Sequence, residues 1–135
     1  METLNFRSKH LYSSSTLGIE LPITISVDAG HAVTLVAKVD TGAMSCIFQR
    51  EHADALGLQV ENDMPKKFST AAGVFWTYGH TVKLSCFDYE FESMVYFASQ
   101  YDFPRNVLGL QGWLDKLRFG LLHHDESVFL SYYDE

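Results

Sequence analysis

A chain of 135 residues in which 47% are hydrophobic and 20% charged can bury one core, and it is too apolar to be disordered, collagen-like or low in complexity. Its net charge of −7 argues against nucleic acid and anionic membrane surfaces as partners. The sequence has no apolar run near the roughly 18 residues of a membrane helix, and its polar N-terminus lacks a signal-peptide core, so we expect a cytoplasmic protein.

The N-terminal part of the chain predicts an arm and two strands. Residues 1–18 form the arm, partly loose or an edge strand, and residues 19–135 form a single domain. Residues 19–27 alternate apolar and polar, which is the period of a half-buried strand. Pro22 limits that strand to an edge or to its first residues, because proline lacks a backbone N–H. After a turn, residues 32–39 form the next strand.

The middle of the chain predicts one helix and a series of strands. Residues 45–48 form a short apolar strand, and residues 50–56 form a helix of about two turns that ends at Gly57. A charged loop follows over residues 61–67. Strands and hairpins are expected over residues 68–98, with breaks at 72–73, Gly79 and 87–89.

The C-terminal part predicts further short elements. Residues 107–120 form a short strand, a turn and a short helix near 113–117, and a final strand runs through residues 128–130. Many short strands with only two short helices indicate an all-β domain of barrel-like shape.

Most kinds of catalytic site find no support in the sequence. Cys46 and Cys86 lie in apolar stretches and read as buried free thiols, although the sequence leaves a disulfide open. The six histidines lack zinc-ligand spacing, so we expect no metal. The chain has neither a Gly-x-Ser-x-Gly sequence nor a glycine-rich phosphate loop, and we expect no cofactor.

The sequence Asp40-Thr41-Gly42 is the remaining candidate. It follows an apolar run, so the Asp40 carboxylate should lie where a buried strand ends in a tight turn, poorly solvated and held by backbone donors. The tripeptide alone is weak, since it arises by chance in roughly a few per cent of chains of this length. Asp and Gly also favour turns, so a simple turn explains the tripeptide equally well.

Two further elements give this motif a context. Val107-Leu108-Gly109 is an apolar strand that ends in glycine about seventy residues later, and residues 69–73 form a small-residue hairpin tip between them. This ordered set resembles the retropepsin-like aspartic proteases, the family of retroviral proteases and their bacterial and eukaryotic relatives. The resemblance covers residues 19–122, and residues 106–121 look especially similar to the bacterial members.

The resemblance implies a small closed barrel with a flap hairpin over a cleft, and it implies roles for particular residues. Asp40 would be the catalytic acid. The other implied site residues are Thr41, Gly42 and Ala43 in the catalytic loop, Thr70, Ala71, Ala72, Gly73 and Val74 in the substrate-binding flap, and Val107, Leu108 and Gly109 in the supporting strand.

The single copy of the motif predicts a homodimer that cleaves peptide or protein substrates. Hydrolysis by this route needs two carboxylates that share one proton, and no second Asp-Thr or Asp-Ser turn fits in this chain. The second Asp40 must therefore come from a twofold-related copy. Family members interleave their termini, so the arm and the C-terminal residues Phe129, Tyr132 and Tyr133 are candidates for the interface, or equally for the core of one chain.

Three residues depart from the family pattern or keep another function open. Retroviral members often have a substrate-binding Asp where this chain has Ser45, and an Arg where it has Leu110. Together with Met44, these residues keep open a non-catalytic peptide-binding or scaffold domain with the same fold. A third interpretation is an unrelated β-barrel whose Asp-Thr-Gly sequence is a simple turn.

Overall fold

The structure, a computed structural model, describes residues 1–15, 18–71 and 73–135, and most of them lie in strands. The strands are β1 (Ser8–Leu11), β2 (Ser14–Ser15), β3 (Gly18–Asp28), β4 (His31–Val39), β5 (Ile47–Phe48), β6 (Pro65–Thr70), β7 (Gly73–Cys86), β8 (Tyr89–Ala98), β9 (Val107–Leu108), β10 (Leu117–Leu122) and β11 (Ser127–Tyr132). The helix α1 spans Arg50–Ala55, and 3-10 turns lie at Val60–Asn62, Leu114–Lys116 and His123–Asp125. The predicted all-β class is confirmed.

Eight strands form one sheet that closes into a ring. Their order is β2-β3-β4-β9-β5-β8-β7-β6, and β3 pairs additionally with β7. The short strand β9 lies between β4, to which it is parallel, and β5, to which it is antiparallel. β9 therefore joins the two strand ends between which the Asp40 turn lies.

Strand β3 alternates apolar and polar residues, and the structure explains how it accommodates Pro22. Leu21, Ile23 and Ile25 are buried in the core, as the alternation predicted. Pro22 lies inside the strand opposite Val36 of β4. The pairing with β7 begins only at Thr24, so the other side of Pro22 carries no ladder that its missing N–H would interrupt.

The predicted helix is present and ends at the predicted glycine. The amide of Gly57 donates to the Asp54 carbonyl at 3.0 Å, and Gly57 has φ +75°, a left-handed conformation that glycine adopts without steric cost. Ala53 and Leu56 are buried, so this one face of α1 packs on the core.

Three local predictions were wrong. Gly79 does not break a strand: β7 runs through it, and a Cβ there would lie 3.0 Å from the Tyr96 ring and 3.1 Å from Met94 Sδ. The glycine therefore makes room for side chains of β8. The loop predicted over residues 61–67 ends earlier, because β6 begins at Pro65. The helix predicted near residues 113–117 is only a 3-10 turn, and β10 follows it.

The termini form a second, three-stranded sheet in the order β1-β11-β10. Its contact with the ring centres on Tyr89, which is buried and whose hydroxyl donates to the Leu130 carbonyl at 2.8 Å. Ser8 Oγ lies 2.6 Å from the same hydroxyl, so Tyr89 joins β8 to both β1 and β11. The arm and the C-terminal strand therefore pair with each other within one chain.

Both cysteines are buried free thiols, as predicted. Burial raises the pKa of the Cys46 thiol to about 11 and that of Cys86 to about 12. Neither thiol is therefore reactive near neutral pH. No helix among the described residues is long and apolar enough to cross a membrane.

Removal of the Tyr89 hydroxyl should loosen the terminal sheet. Tyr89→Phe leaves Ser8 Oγ without this partner and deletes the bond to Leu130, so we expect the free energy of unfolding to fall by about 1–2 kcal/mol. Denaturant unfolding followed by fluorescence measures the change. The control is Tyr133→Phe, whose ring is 69% exposed and which should have no effect. Equal stabilities of the two variants would contradict this role of Tyr89.

Candidate active site

Asp40 lies directly after β4, in a turn that the backbone of β9 holds. Its amide donates to the Leu108 carbonyl at 3.0 Å, which continues the parallel ladder by one residue. The Ala43 amide then donates to the Asp40 carbonyl at 3.1 Å and closes the turn. Both bonds use main-chain groups, so they fix the direction of the chain without occupying the carboxylate.

The Asp40 carboxylate accepts a hydrogen bond from the Gly42 amide, with 2.9 Å between nitrogen and Oδ1. This is the backbone donor that the sequence predicted. The residue is half-buried in the single chain rather than poorly solvated, while Thr41 and Gly42 are exposed. The carboxylate is therefore oriented by the loop and accessible from outside.

Gly109, which directly follows β9, comes into backbone contact with the loop that follows Asp40. A Cβ at this position would lie 2.3 Å from the Ser45 carbonyl oxygen and 2.8 Å from that of Ala43. The next two residues form backbone hydrogen bonds to the same loop. The Leu110 amide donates to the Ala43 carbonyl at 2.9 Å, and the Gln111 amide donates to the Met44 carbonyl at 2.8 Å. The structure thus brings together two predicted groups, residues 40–43 and 107–109.

A layer of residues behind the loop was missed by sequence reasoning. Cys46 Sγ accepts from the Gly109 amide at 3.5 Å and donates to the Gln111 carbonyl at 3.7 Å. Ser93 Oγ donates to the Gly112 carbonyl at 2.5 Å. A Cβ at Gly112, where φ is +102°, would lie 2.8 Å from that Oγ. These contacts join β8 and the residue before β5 to the segment after β9.

The predicted flap is the end of the hairpin formed by β6 and β7. Thr70 pairs with Gly73, whose φ is +130°, and Thr70 Oγ1 donates to the Gly73 carbonyl at 3.1 Å. Ala71 and Val74 are exposed next to them, and Ala72 lies outside the described residues. The predicted flap residues that the structure describes therefore lie together.

Aromatic rings connect the hairpin to the loop that precedes β9. The rings of Phe68 and Phe75 are 5.7 Å apart on facing strands, and Phe75 lies 5.0 Å from Phe103. Val74, Phe75, Trp76 and Phe103 also line a cavity of about 320 Å³. This contact joins the flap to the chain segment that leads into the supporting strand, rather than to the Asp40 turn itself.

The described residues contain no group of three or more His, Cys, Asp or Glu side chains that could hold a metal ion.

Solved structures of aspartic proteases share this architecture. A retropepsin-like aspartic protease from Rickettsia conorii matches with a TM-score of 0.66 at 20% identity, over 92% of this chain and 98% of that chain. EIAV protease, complexed with the inhibitor HBY-793, matches with a TM-score of 0.52 at 16% identity, over 80% of this chain and 88% of that chain. The fold is retropepsin-like, as the sequence predicted.

The sequence comparison points to the same class. The family model of aspartyl proteases matches residues 22–111, more than half of the chain and a range that includes the Asp40 turn, the hairpin and β9. The chain belongs to the aspartyl protease family, which supports a protease function. No curated protein sequence matches it significantly.

A side chain at position 109 should displace the loop that follows Asp40. Gly109→Ala places a methyl group against the carbonyl oxygens of Ser45 and Ala43, and a shift of the Ala43 carbonyl would break its bond from the Leu110 amide, so we expect a loss of at least about 2 kcal/mol in stability. Denaturant unfolding measures it. Gly30→Ala is the matched control, because its Cβ would meet only Asp28 Oδ1 at 3.6 Å. A Gly109→Ala protein as stable as the control would show that the approach is not tight.

Proposed function

We propose that the protein is an aspartic endopeptidase active as a homodimer, in which each chain supplies Asp40. The observation that supports this most directly is the Asp40 turn, where β9 fixes the main chain while the carboxylate remains accessible. A chain with one such carboxylate holds half of the site that the reaction needs. The other half comes from a second copy across a twofold axis.

The two carboxylates act as one unit. Like charges about 3 Å apart cannot both ionise, so the pair holds one proton between them. The ionised carboxylate takes a proton from water as the water oxygen attacks the peptide carbonyl carbon. The protonated carboxyl donates a hydrogen bond to the carbonyl oxygen and stabilises the charge that develops there. The proton then passes to the leaving nitrogen as the carbon–nitrogen bond breaks.

The other predicted site residues receive supporting roles in this proposal. Thr41, Gly42 and Ala43 complete the catalytic loop, and residues 70–74 form the flap over the bound peptide. Val107, Leu108 and Gly109 hold the loop in place. Residues 19–135 form the catalytic domain after an arm of residues 1–18, and two free thiols fit a reducing compartment such as the cytoplasm.

The substrate proposed is an extended peptide with apolar side chains around the scissile bond. The support comes from the hairpin, where Val74 and Trp76 are exposed and Phe75 lies against Phe103. Exposed apolar side chains beside a cavity favour apolar groups of a ligand, because their burial removes both surfaces from water.

Asp40→Asn tests the catalytic role. The amide cannot accept the proton of the attacking water, so cleavage of a peptide library at mildly acidic pH should fall by about 10²-fold to 10⁴-fold or more. The fold should persist, since an amide oxygen can still accept from Gly42. Mass spectrometry of the cleaved library measures the loss, and Asp88→Asn, in the exposed turn between β7 and β8, is the control.

The same library separates the protease from a non-catalytic peptide-binding domain. Met44, Ser45 and Leu110 keep that second function open, because Ser45 replaces an Asp that family members often use on substrate and Leu110 replaces an Arg that braces the active-site region. Peptides that bind to the wild-type protein and remain uncut, with no difference between wild type and Asp40→Asn, would replace the proposed protease with a binding domain.

Thr41→Val tests the pairing of the two catalytic loops. We propose that the exposed Thr41 hydroxyl donates a hydrogen bond to the partner's backbone across the axis, so its removal should weaken the dimer and lower cleavage together. Sedimentation equilibrium and the cleavage assay measure both. Thr81→Val, on an exposed position of β7, is the control. Unchanged association and cleavage in Thr41→Val would remove this contact from the proposal.

A further inference from the structure

Two cavities lie side by side on strand β8, with volumes of about 290 and 260 Å³. Both are lined by Met94 and Tyr96, so they form one groove across these two side chains. We call it the β8 groove. One end lies at Ser45, in the loop that follows Asp40, and the other end lies at Lys66, in β6 of the flap hairpin.

The groove owes its shape to the glycine within β7. A Cβ at Gly79 would lie 3.0 Å from the Tyr96 ring and 3.1 Å from Met94 Sδ. The two side chains of β8 therefore lie directly over the main chain of β7, and Gly79 itself lines the second cavity. A side chain at this position would displace the wall that the two cavities share.

The carboxylates that line the groove are already bound within the chain. Asp63 Oδ2 lies 2.8 Å from His80 Nδ1, which comes from the neighbouring strand β7. Asp115 Oδ1 accepts a hydrogen bond from the Gly112 amide at 3.0 Å. Each carboxylate thus has a partner that offsets its charge or occupies one of its oxygens, so the groove attracts cations only weakly.

Two lysines line the groove without such partners. The Lys66 ammonium lies 4.7 Å from the centre of the Tyr96 ring and 5.0 Å from that of Phe68, and these cation–π contacts hold it over the shared wall. Lys116 lines the other cavity. Among the residues that the structure describes, neither lysine forms a salt bridge with a carboxylate. Both are exposed, so a bound anion can reach them.

The Ser45 hydroxyl adds a further hydrogen-bonding group to the cavity that Lys116 lines. Ser45 is buried, and its Oγ has no hydrogen-bond partner within the described part of the chain. A buried polar group without a partner carries a free-energy penalty, which a ligand atom can remove. A hydroxyl beside an ammonium suits a carboxylate, because the carboxylate accepts hydrogen bonds from both.

We propose that the β8 groove binds an acidic side chain of the peptide substrate, with Lys66 and Lys116 as its charged contacts. The inference rests on the proposed function, in which the peptide lies between the Asp40 turn and the flap hairpin. The groove joins these two elements, so a substrate residue beyond the apolar ones at the scissile bond can enter it. A homodimer has two such grooves, and acidic residues should therefore be favoured on both sides of the scissile bond.

The cleaved members of a random peptide library test this specificity. They should be enriched in Glu and Asp at positions outside the scissile pair. Replacement of a favoured Glu by Gln should lower kcat/KM at about pH 6 by about threefold or more, because an exposed ion pair is lost. The preference should weaken as salt is added, and also as the pH falls below about 4.3, where a glutamate side chain takes up a proton.

Charge reversal assigns the preference to the two lysines. Lys66→Glu/Lys116→Glu should turn the preference from acidic to basic residues at the same substrate positions. The matched control is Lys67→Glu/Lys9→Glu, which changes the net charge equally. Lys67 follows Lys66 on the opposite face of β6, and neither control residue lines the groove. The control should keep the acidic preference, and an equal reversal in both variants would overturn the inference.

A milder substitution keeps the test valid if the charge reversal disturbs folding. Where the denaturation midpoint of Lys66→Glu/Lys116→Glu shows an unfolded protein, Lys66→Gln/Lys116→Gln replaces it. This variant should abolish the acidic preference without reversing it. A preference that persists in the folded glutamine variant would mean that another surface selects the acidic residue, and it would overturn the assignment.

Peptide binding separates this inference from the proposed function. Fluorescence anisotropy with the Asp40→Asn protein compares two labelled octapeptide pools, both with apolar central residues, one with flanking Glu and the other with flanking Gln. The Glu pool should bind at least about threefold more tightly, and this difference should vanish in the lysine variants. Charge-selective binding without any cleavage by the wild type would keep the groove and reject the protease. Asp40-dependent cleavage with equal binding of both pools would keep the protease and reject the groove.

Discussion

The close approach of Gly109 to the loop that follows Asp40 is the constraint on which the rest of the structure depends. The main chain of the supporting strand reaches the Ser45 and Ala43 carbonyls only because no Cβ intervenes. That approach lets β9 fit between β4 and β5, and the ring of strands closes through this junction. Closure in turn gives the Asp40 amide its hydrogen bond to the Leu108 carbonyl, so the ring and the position of the Asp40 turn arise from the same contact.

The layer behind the loop shows why this junction is rigid. Cys46 directly precedes β5 and Ser93 lies in β8, and each uses its side chain to satisfy a main-chain group near Gly109 or Gly112. Buried polar groups carry a large penalty when unpaired, so a movement of the loop would cost the hydrogen bonds of several elements together. A loop held in this way can keep a carboxylate in a fixed direction although the carboxylate itself is half-buried.

The sequence predicted the elements that local chemistry decides. Gly57 ends α1 through its own conformation, and the alternation that predicts β3 is visible in residues 19–27. Prediction from the sequence failed where residues distant in the chain decide the structure. Gly79 lies within a strand, next to the side chains of Tyr96 and Met94. Residues 117–122 form a strand because β11 pairs with them. The same limit applied to the site. Asp40 and Val107–Leu108 carry a motif, whereas the roles of Cys46 and Ser93 depend on contacts that no local pattern encodes.

The completed terminal sheet changes how folding and assembly relate under the proposed function. If a partner's strand completed the sheet, an isolated chain would lack part of its fold, and folding would depend on protein concentration. Here β1, β11 and Tyr89 complete the sheet within one chain. An isolated copy can thus fold with its Asp40 turn fully formed and yet hold only one carboxylate of the proposed catalytic pair. Under the proposed function, concentration would then control the number of paired carboxylates rather than the number of folded chains.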